Sequence, residues 1–393
     1  MAEPELTFTS YAGFDELPPG ALEAFGDQVG REYFFQPRWF RYLVRHFYSR
    51  PEEFRVWLGT AADGTPALLM PLRETWLDPK ALGAHTVQAA SHWENAAPLC
   101  LLTNDAAGRR EDILAAFFRF LRSRNADAKD GAFDALRIWP LELAGEDGKA
   151  IRRALRRAGF WLQRYKNSFN RYEAVEGMDY EAYLQSRSSN SRYDIGRKTR
   201  RLERDFSLAY DLYKGPLGLE RGIADYEHIS EASWKKPMSM VGPHHTDLLQ
   251  DTMEAGVGRL SILKLDGQPV SVHFWIISDG TAHIVRLAYD QHFEKQGVGV
   301  VHTAEMVRMA LDDDHVREIN YGYGNDSYKA RWTKESRVLY GLMAFNPGTL
   351  RGLRFAVTNI LGSLLKAWLV IAPLRFVVRL LGIRPAPAAG RRR

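Results

Sequence analysis

The chain has 393 residues, 45% of them hydrophobic and 12% aromatic, with a formal net charge of +5. This length exceeds one ordinary core and suits two domains of roughly 150 residues each, and the apolar content excludes an intrinsically disordered protein. A single cysteine, Cys100, excludes an internal disulfide and favours a reducing compartment. The first ten residues lack a basic segment followed by an apolar one, so we expect no secretory signal and a cytoplasmic location.

The first region of the chain mixes predicted helices and strands. Residues 36–47 carry large apolar side chains at helical spacing, which predicts an aromatic helix. Two strand-like runs at 54–72 flank a turn with Asp63 and Gly64, the pattern of an antiparallel hairpin. The remaining patterns predict a helix at 111–124, a strand at 133–141 and a helix at 148–160.

The second region repeats this order. Residues 259–278 again read as a strand, an Asp-Gly turn and a strand. The elements predicted after it are a strand at 281–290, a helix at 299–314 and strands at 317–323 and 337–345. The repeated order of hairpin and helix predicts two structurally related halves and an α/β fold with mixed sheets.

Between the two regions, residues 186–206 predict a basic helix. Arg197, Arg201 and Arg204 fall on one helical face of this segment. Such a face is either a solvated connection or a surface that binds an anion, for example a phosphate, a nucleic acid or a lipid headgroup.

A short loop in the second region has the composition of a phosphate-binding turn. Gly297 and Gly299 let backbone N–H groups approach a ligand, and the helix that begins there adds partial positive charge. This combination suits a pyrophosphate. We therefore predict a cofactor-binding loop made of Gln296, Gly297, Val298, Gly299 and Val300.

Three segments of the second region, LKLDGQPVSVHFWI, AYDQHFEKQGVGV and NYGYGNDSYKARW, resemble the second domain of the CelD-type acetyltransferases. This is a family of the GNAT superfamily related to the FemABX aminoacyltransferases. The upstream segments FFQPRWFRYLVRHF and GTPALLMPL resemble that family's first, cofactor-free GNAT-like domain. The resemblance implies two tandem GNAT-like domains, which we place at 1–175 and 207–346. The residue patterns add a basic connecting helix at 176–206 and an amphipathic helical tail at 347–393.

The resemblance also implies acyl transfer from an acyl-CoA, either acetyl-CoA or a longer chain, to an amine or hydroxyl in envelope polysaccharide or lipid synthesis. Asp326, Tyr328 and Lys329 match the family's aspartate, tyrosine and lysine, and His273 lies on the strand where GNAT-like enzymes often place a base. Tyr328 is suited to supply a proton and Lys329 to bind a phosphate or carboxylate. His273 stands in an apolar strand, so a satisfied core histidine is the alternative.

Two stretches rich in polar and aromatic residues are candidates for the acceptor site. The first contributes Trp93 and Glu94, the second contributes Trp234 and Lys235, and Arg286 joins them from a nearby strand. Their composition is typical of acceptor clefts. The adjacent histidines in the second stretch are poor ligands for one ion, so no metal is predicted.

The tail differs from the rest of the chain in charge. From residue 347 onward there are nine basic residues and no acidic one, whereas the remainder has 44 basic and 48 acidic residues, a net charge of −4. The apolar runs are shorter than the ~20 residues that a spanning helix needs. The tail is therefore either an interfacial helix on an anionic membrane surface or a helix packed on the second domain.

The leading hypothesis is an acyl-CoA-dependent acyltransferase, peripherally associated with the inner face of the membrane, that acylates an envelope sugar or an amino-lipid. Two alternatives stay open. One is a FemABX-like transferase whose donor is aminoacyl-tRNA, the single case in which we expect a nucleic-acid partner. The other is a non-catalytic binding module on a degenerate acyltransferase fold.

Overall fold

The computed structural model describes residues 5–91, 98–123, 132–233, 243–324 and 326–366. Its strands are β1 (Leu6–Tyr11), β2 (Phe54–Ala61), β3 (Pro66–Asp78), β4 (Ala84–Ala89), β5 (Leu102–Thr103), β6 (Ala135–Leu141), β7 (Trp161–Ala174), β8 (Leu208–Tyr213), β9 (Gly258–Leu265), β10 (Gln268–Ser278), β11 (Thr281–Tyr289), β12 (Glu318–Tyr323) and β13 (Glu335–Phe345). Its helices are α1 (Gly26–Arg31), α2 (Pro37–Phe47), α3 (Arg110–Ser123), α4 (Glu146–Arg157), α5 (Tyr180–Gln185), α6 (Ser189–Asp205), α7 (Leu219–Ala232), α8 (Pro243–Glu254), α9 (Val298–Arg308) and α10 (Leu350–Lys366).

One mixed sheet runs through the protein in the order β1-β2-β3-β4-β6-β13-β7-β12-β11-β10-β9-β8, with β5 beside β3. The order is symmetric about the central pair β13 and β7. On each side a run of antiparallel strands ends in one parallel pair, β4 with β6 and β11 with β12. The predicted α/β class and the two related halves are therefore confirmed.

The two halves exchange strands at the centre of the sheet. β13, from the second half, pairs with β6 of the first half, and β7, from the first half, pairs with β12 of the second half. The two strands also pair with each other over eleven residue pairs. Neither half can complete its sheet alone, so the tandem repeat forms one continuous unit.

The predicted hairpins and helices are found where the local signals are strong. The turn between β9 and β10 has Asp266 at φ 51° and Gly267 at φ 83°, both in the left-handed region that a type I′ turn requires. At the first hairpin, the Asp63 carboxylate accepts a hydrogen bond from the Thr65 N–H at 2.9 Å. The aromatic helix is α2, and the basic connecting helix is α6.

A shared core joins the halves on one face of the sheet. Side chains of α2 and β2 from the first half and of α8 and β10 from the second half belong to one buried cluster. The Tyr33 hydroxyl donates to the Asp251 carboxylate at 2.6 Å across this contact. On the opposite face, α9 packs on β10 and β11 in a separate cluster. Among the described helices, none is long and apolar enough to cross a membrane.

Candidate active site

The site lies where the parallel strands of the second half separate. β11 and β12 pair from Thr281 with Glu318 to His283 with Asn320, and there their pairing ends. A bulge follows immediately in β11, because its register with β10 shifts between Ile284 and Arg286. β11 then continues to Tyr289 without β12 beside it. The gap places the end of β11 next to the start of α9.

The predicted glycine loop forms the N-terminus of α9. Gly297 is its N-cap at φ 82°, a left-handed conformation that favours glycine, and no side chain caps the first turn within the described residues. A Cβ at Gly297 would lie 2.7 Å from the Lys198 side chain, and one at Gly299 would lie 3.0 Å from the Tyr289 ring. The Gly297 N–H donates to the Glu294 carbonyl at 3.0 Å and the Val300 N–H to the Gly297 carbonyl at 3.0 Å, which leaves the N–H groups of Val298 and Gly299 for a ligand, next to an aromatic ring and the aliphatic part of the Lys198 side chain.

Cations surround this helix start through one acidic residue of α6. Asp194 accepts hydrogen bonds from Lys198 at 2.8 Å and from Arg197 at 2.9 Å, and it also pairs with Arg331. Burial alone raises the pKa of the Asp194 carboxyl, but these hydrogen bonds and the charges of Lys198 and Arg331 outweigh burial and lower it to about 2. Asp194 therefore stays ionised and holds two of these cations beside the α9 N-terminus.

The loop after β12 supplies the opposite wall. Tyr328 is 42% exposed and lines the cavity described below, whereas Lys329 is buried beneath it. The Lys329 ammonium donates to the Tyr323 carbonyl at 2.5 Å and pairs with Asp326 at 3.2 Å. Burial lowers the pKa of Lys329, and the Asp326 pair partly offsets that shift. The structure thus gives Tyr328 an open position, while Lys329 and Asp326 tie down the turn that carries it.

These elements enclose a cavity of about 300 Å³, called here the α9 cavity. Its lining consists of Lys198, Leu287, Ala288, Tyr289, Glu294, Gly297, Gly299, Val300, Thr303, Tyr328, Arg331 and Trp332. Of the five predicted loop residues, Gly297, Gly299 and Val300 are in this lining, and Val298 packs in the core beneath. Gln296 lies at the preceding turn, outside the lining. Tyr328 and the glycine loop therefore meet in one space.

His273 lies behind the cavity in the buried core. Its ring is 1% exposed, and its Nδ1 accepts a hydrogen bond from the Trp275 indole N–H at 3.0 Å. An indole N–H can only donate, so Nδ1 carries no proton and Nε2–H points to the Thr303 hydroxyl at 3.3 Å. Thr303 in turn donates to the Gly299 carbonyl at 2.7 Å. This geometry matches the core-histidine alternative and links His273 to the glycine loop.

Of the predicted acceptor residues, Arg286 lies in the described part of the chain, and it does not line the α9 cavity. Arg286 points to the opposite face of the sheet, where its guanidinium lies 3.3 Å from His245 Nε2 of α8. Trp93, Glu94, Trp234 and Lys235 lie outside the described residues. In the part of the chain that the structure covers, there is no group of three or more His, Cys, Asp or Glu residues that could hold a metal ion.

The basic face of α6 is largely neutralised. Arg197 pairs with Asp194, and Arg201 and Arg204 pair with Asp205 at 3.6 Å and 2.8 Å. The pattern of arginines was visible in the sequence, but the pairing lowers the net charge of the surface that they form. An extended anion such as a nucleic acid therefore meets a weaker positive field than the arginine count suggests.

Sequence reasoning missed eight residues of the cavity lining: Lys198, Leu287, Ala288, Tyr289, Glu294, Thr303, Arg331 and Trp332. Arg331 and Trp332 stand just after Lys329, inside the segment that carried the resemblance. Their signal was their position two and three residues beyond a predicted site residue. Lys198 is about a hundred residues from the loop in sequence, and no local pattern connects it to Gly297.

A comparison with protein-family models covers the part of the chain that contains these elements. Residues 189–330 match the sequence model of the acetyltransferase (GNAT) domain, a range that includes α6, the glycine loop and Tyr328. The chain therefore contains a GNAT-type acetyltransferase domain. Among curated proteins, none matches the chain.

Solved structures extend the likeness to nearly the whole chain. FemX is similar with a TM-score of 0.56 and 10% identity over 84% of this chain and 98% of that chain. L-PGS from Bacillus licheniformis is similar with a TM-score of 0.50 and 14% identity over 88% of this chain and 97% of that chain. At such identities the likeness concerns the fold, which these proteins share.

Proposed function

We propose that this protein is an N-acyltransferase that takes its acyl group from an acyl-CoA bound in the α9 cavity. The observation that carries the proposal is the uncapped, glycine-led N-terminus of α9 with Lys198 and Arg331 beside it. Open N–H groups and a helix dipole favour a diphosphate, and Lys198 and Arg331 share the one carboxylate of Asp194, so together they leave a net positive charge beside it. A GNAT-type domain at 189–330 supports the same assignment.

The step that we propose needs a proton donor for the leaving thiolate, and Tyr328 is our candidate. Burial, with the charge of Asp326 adding to it, raises the pKa of the Tyr328 hydroxyl, so it remains protonated at neutral pH. The acceptor ammonium first gives one proton to solvent. The neutral nitrogen then bonds to the carbonyl carbon and loses a second proton to solvent, while the carbon–sulfur bond breaks. The thiolate takes the Tyr328 proton, and the phenolate recovers one from solvent.

Thiol release from a panel of acyl-CoAs, measured with and without extracted membranes, tests the proposal. We expect wild-type turnover with at least one chain length and a loss of about 10²-fold or more in Tyr328→Phe. Tyr11→Phe, on the edge strand β1 at the far end of the sheet, is the matched control and should keep full activity. Full activity of Tyr328→Phe would remove Tyr328 from the proton-donor role.

Two further measurements, aminoacyl transfer from tRNA and thermal stabilisation by CoA, separate the alternatives when combined with thiol release. A protein that releases no thiol from any acyl-CoA, but transfers an amino acid from aminoacyl-tRNA, would be the FemABX-like transferase. A protein that neither turns over nor is stabilised against heat by CoA or acyl-CoA would be a binding module on this fold.

We further propose that the acceptor is an envelope sugar or amino-lipid reached from the inner membrane surface. α10 supports this, because it buries Phe355 and Ala356 but exposes Leu350, Val357 and Leu361 by 86%, 42% and 53%. Exposed leucines next to a tail without acidic residues suit an anionic lipid surface.

Co-sedimentation with lipid vesicles tests this membrane contact. We expect binding to vesicles that contain phosphatidylglycerol and weak binding to phosphatidylcholine alone. Val357→Glu with Leu361→Glu should reduce binding, whereas Leu217→Glu, at a leucine that is 93% exposed elsewhere, should not. Equal binding of both variants, or equal binding to both lipids, would reject the contact.

A further inference from the structure

A second cavity, of about 460 Å³, lies at the centre of the sheet between the two halves, and we call it the central cleft. Its floor comes from β7, β11, β12 and β13, one wall from the segment before α2, and the other wall from the start of α4. The residues used below are Glu32, Glu142, Asn170, His283, Asn320 and Arg337. None of them lines the α9 cavity.

His283 is a buried polar side chain in this cleft whose ring nitrogens make no hydrogen bond within the described residues. It is 6% exposed, and neither ring nitrogen has a hydrogen-bond partner among the described residues. Burial, reinforced by the charge of Arg337, lowers its pKa to about 3, so the imidazole is neutral. A neutral imidazole offers one N–H donor and one acceptor, and leaving either one buried without a partner is unfavourable. A ligand that can both accept and donate a hydrogen bond would therefore satisfy the ring.

The floor beside His283 is rigid. The Asn170 amide donates to the Asn320 side chain at 2.7 Å and to the Gly322 carbonyl at 2.9 Å. Arg337 donates to Asn170 at 2.7 Å and to the Glu318 carboxylate at 2.6 Å. Because these groups already hold one another, a ligand would meet a preorganised polar surface.

The charge of the cleft favours a cation. Its lining includes five carboxylates, those of Glu32, Glu142, Glu146, Asp147 and Glu318, and a single guanidinium, Arg337. Two further cations reach in from outside, Lys149 to Glu146 at 2.6 Å and Arg110 to Asp147 at 3.1 Å. Glu32 and Glu142 remain in excess, and because burial raises the pKa of Glu32 to about 7, its carboxyl is only partly ionised at neutral pH, so the excess is between one and two negative charges. Phosphates and other dianions are therefore disfavoured here, in contrast to the α9 cavity.

The cleft also adjoins the gap between the separating strands. His283 and Asn320 line it, and they are the last paired residues of β11 and β12. Four residues farther along β11, roughly 13 Å of strand, Leu287 lines the α9 cavity. An extended acyl-pantetheine arm that enters from α9 can cover that distance.

We infer that the central cleft holds the acceptor of the proposed reaction as a primary ammonium cation flanked by hydroxyl groups, with His283 hydrogen-bonded to one of those hydroxyls. This inference rests on the proposed function, and it specifies the acceptor amine as one that is flanked by hydroxyl groups. A hydroxyl satisfies His283 because it accepts from the ring N–H or donates to the other ring nitrogen. The ammonium group meets the excess carboxylates, among which Glu142 is exposed at the rim.

Three sugars that differ in charge test the inference on the full chain. Glucosamine is a compact ammonium flanked by hydroxyls, glucose is its neutral counterpart and glucose 6-phosphate its anionic one. The readout is the ring signal of His283 in protein with labelled histidine, identified by its absence in His283→Phe. We expect glucosamine to shift this signal saturably, glucose about tenfold more weakly, and glucose 6-phosphate not at all.

Two variants keep the test sharp. Glu142→Gln should weaken glucosamine several-fold and leave glucose unchanged, and His292→Gln, at a histidine with a 79% exposed side chain, should change neither. No shift of the His283 signal with glucosamine, or tighter binding of glucose 6-phosphate than of glucosamine, would overturn the inference. Calorimetry with CoA is run in parallel. No CoA binding by the wild type would refute the donor site and with it the proposed function. His283→Phe should bind CoA as the wild type does, so a failure of the acceptor site alone remains distinguishable.

Discussion

Thr303 offers a direct test of how the core supports the glycine loop. It stands between two buried partners, because its hydroxyl accepts from His273 and donates to the Gly299 carbonyl. Thr303→Val keeps the branched shape and removes both hydrogen bonds. Thr303→Ser keeps the hydroxyl and removes one methyl group. The pair of variants therefore separates hydrogen bonding from packing.

The expected size of the effect follows from the two lost bonds. Each neutral hydrogen bond contributes about 0.5–1.5 kcal/mol, so Thr303→Val should lower the free energy of unfolding by about 2 kcal/mol. Thr303→Ser should cost about 1 kcal/mol or less, the worth of one buried methyl. Urea denaturation followed by tryptophan fluorescence measures both values. Calorimetry with CoA should show weaker binding for the valine variant, because the Gly299 carbonyl loses its hydrogen bond from the Thr303 hydroxyl.

Equal destabilisation by both variants would mean that packing, not the hydrogen-bonded chain, determines the role of Thr303. A valine variant as stable as the wild type would refute the chain from Trp275 through His273 to Gly299. A loss of turnover in the valine variant without any change in stability or CoA affinity would instead place Thr303 in the chemistry.

Two further predictions concern backbone strain and pH. Gly297→Ala should weaken CoA binding by about tenfold, because alanine is strained in the left-handed conformation and its Cβ would lie 2.7 Å from the Lys198 side chain. The control is Gly267→Ala, at nearly the same φ but with open space around it. Both variants should lose about 1 kcal/mol of unfolding free energy, but the control should bind CoA as the wild type does. Burial of Glu32 outweighs its hydrogen bonds from Ser278 and Phe34 and raises the pKa of its carboxyl from 4.5 to about 7. Between these two pH values the folded state keeps a proton on Glu32 that the unfolded state has lost. The free energy of unfolding should therefore fall by up to about 3 kcal/mol as the pH rises from 4.5 to 7. Glu32→Gln should remove this fall in pH-dependent denaturation curves, and an unchanged curve would contradict the shift.

The sequence predicted the elements whose signals are local. The Asp-Gly turns specify their hairpins through backbone conformation, and the periodicity of 36–47 specifies α2. The glycine loop and Tyr328 were each singled out separately, and the structure brings them to one cavity.

The elements that escaped prediction depend on distant partners. β7 is rich in polar residues and shows no apolar alternation, yet it lies near the centre of the sheet, where Asn170 bonds to Asn320 and Arg337. Such a strand is stabilised by groups more than a hundred residues away, which no window of sequence contains. The burial of Lys329 likewise depends on the Tyr323 carbonyl being placed by the sheet.

The central claim is that the start of α9 binds a diphosphate. Calorimetry that compares CoA with pantetheine, which lacks the nucleotide and the diphosphate, tests this claim most directly. The account predicts that CoA binds at least about a hundredfold more tightly, roughly 2.7 kcal/mol, because two charge-assisted contacts are lost with the diphosphate. Equal affinity for the two compounds, or no heat from either, would contradict it.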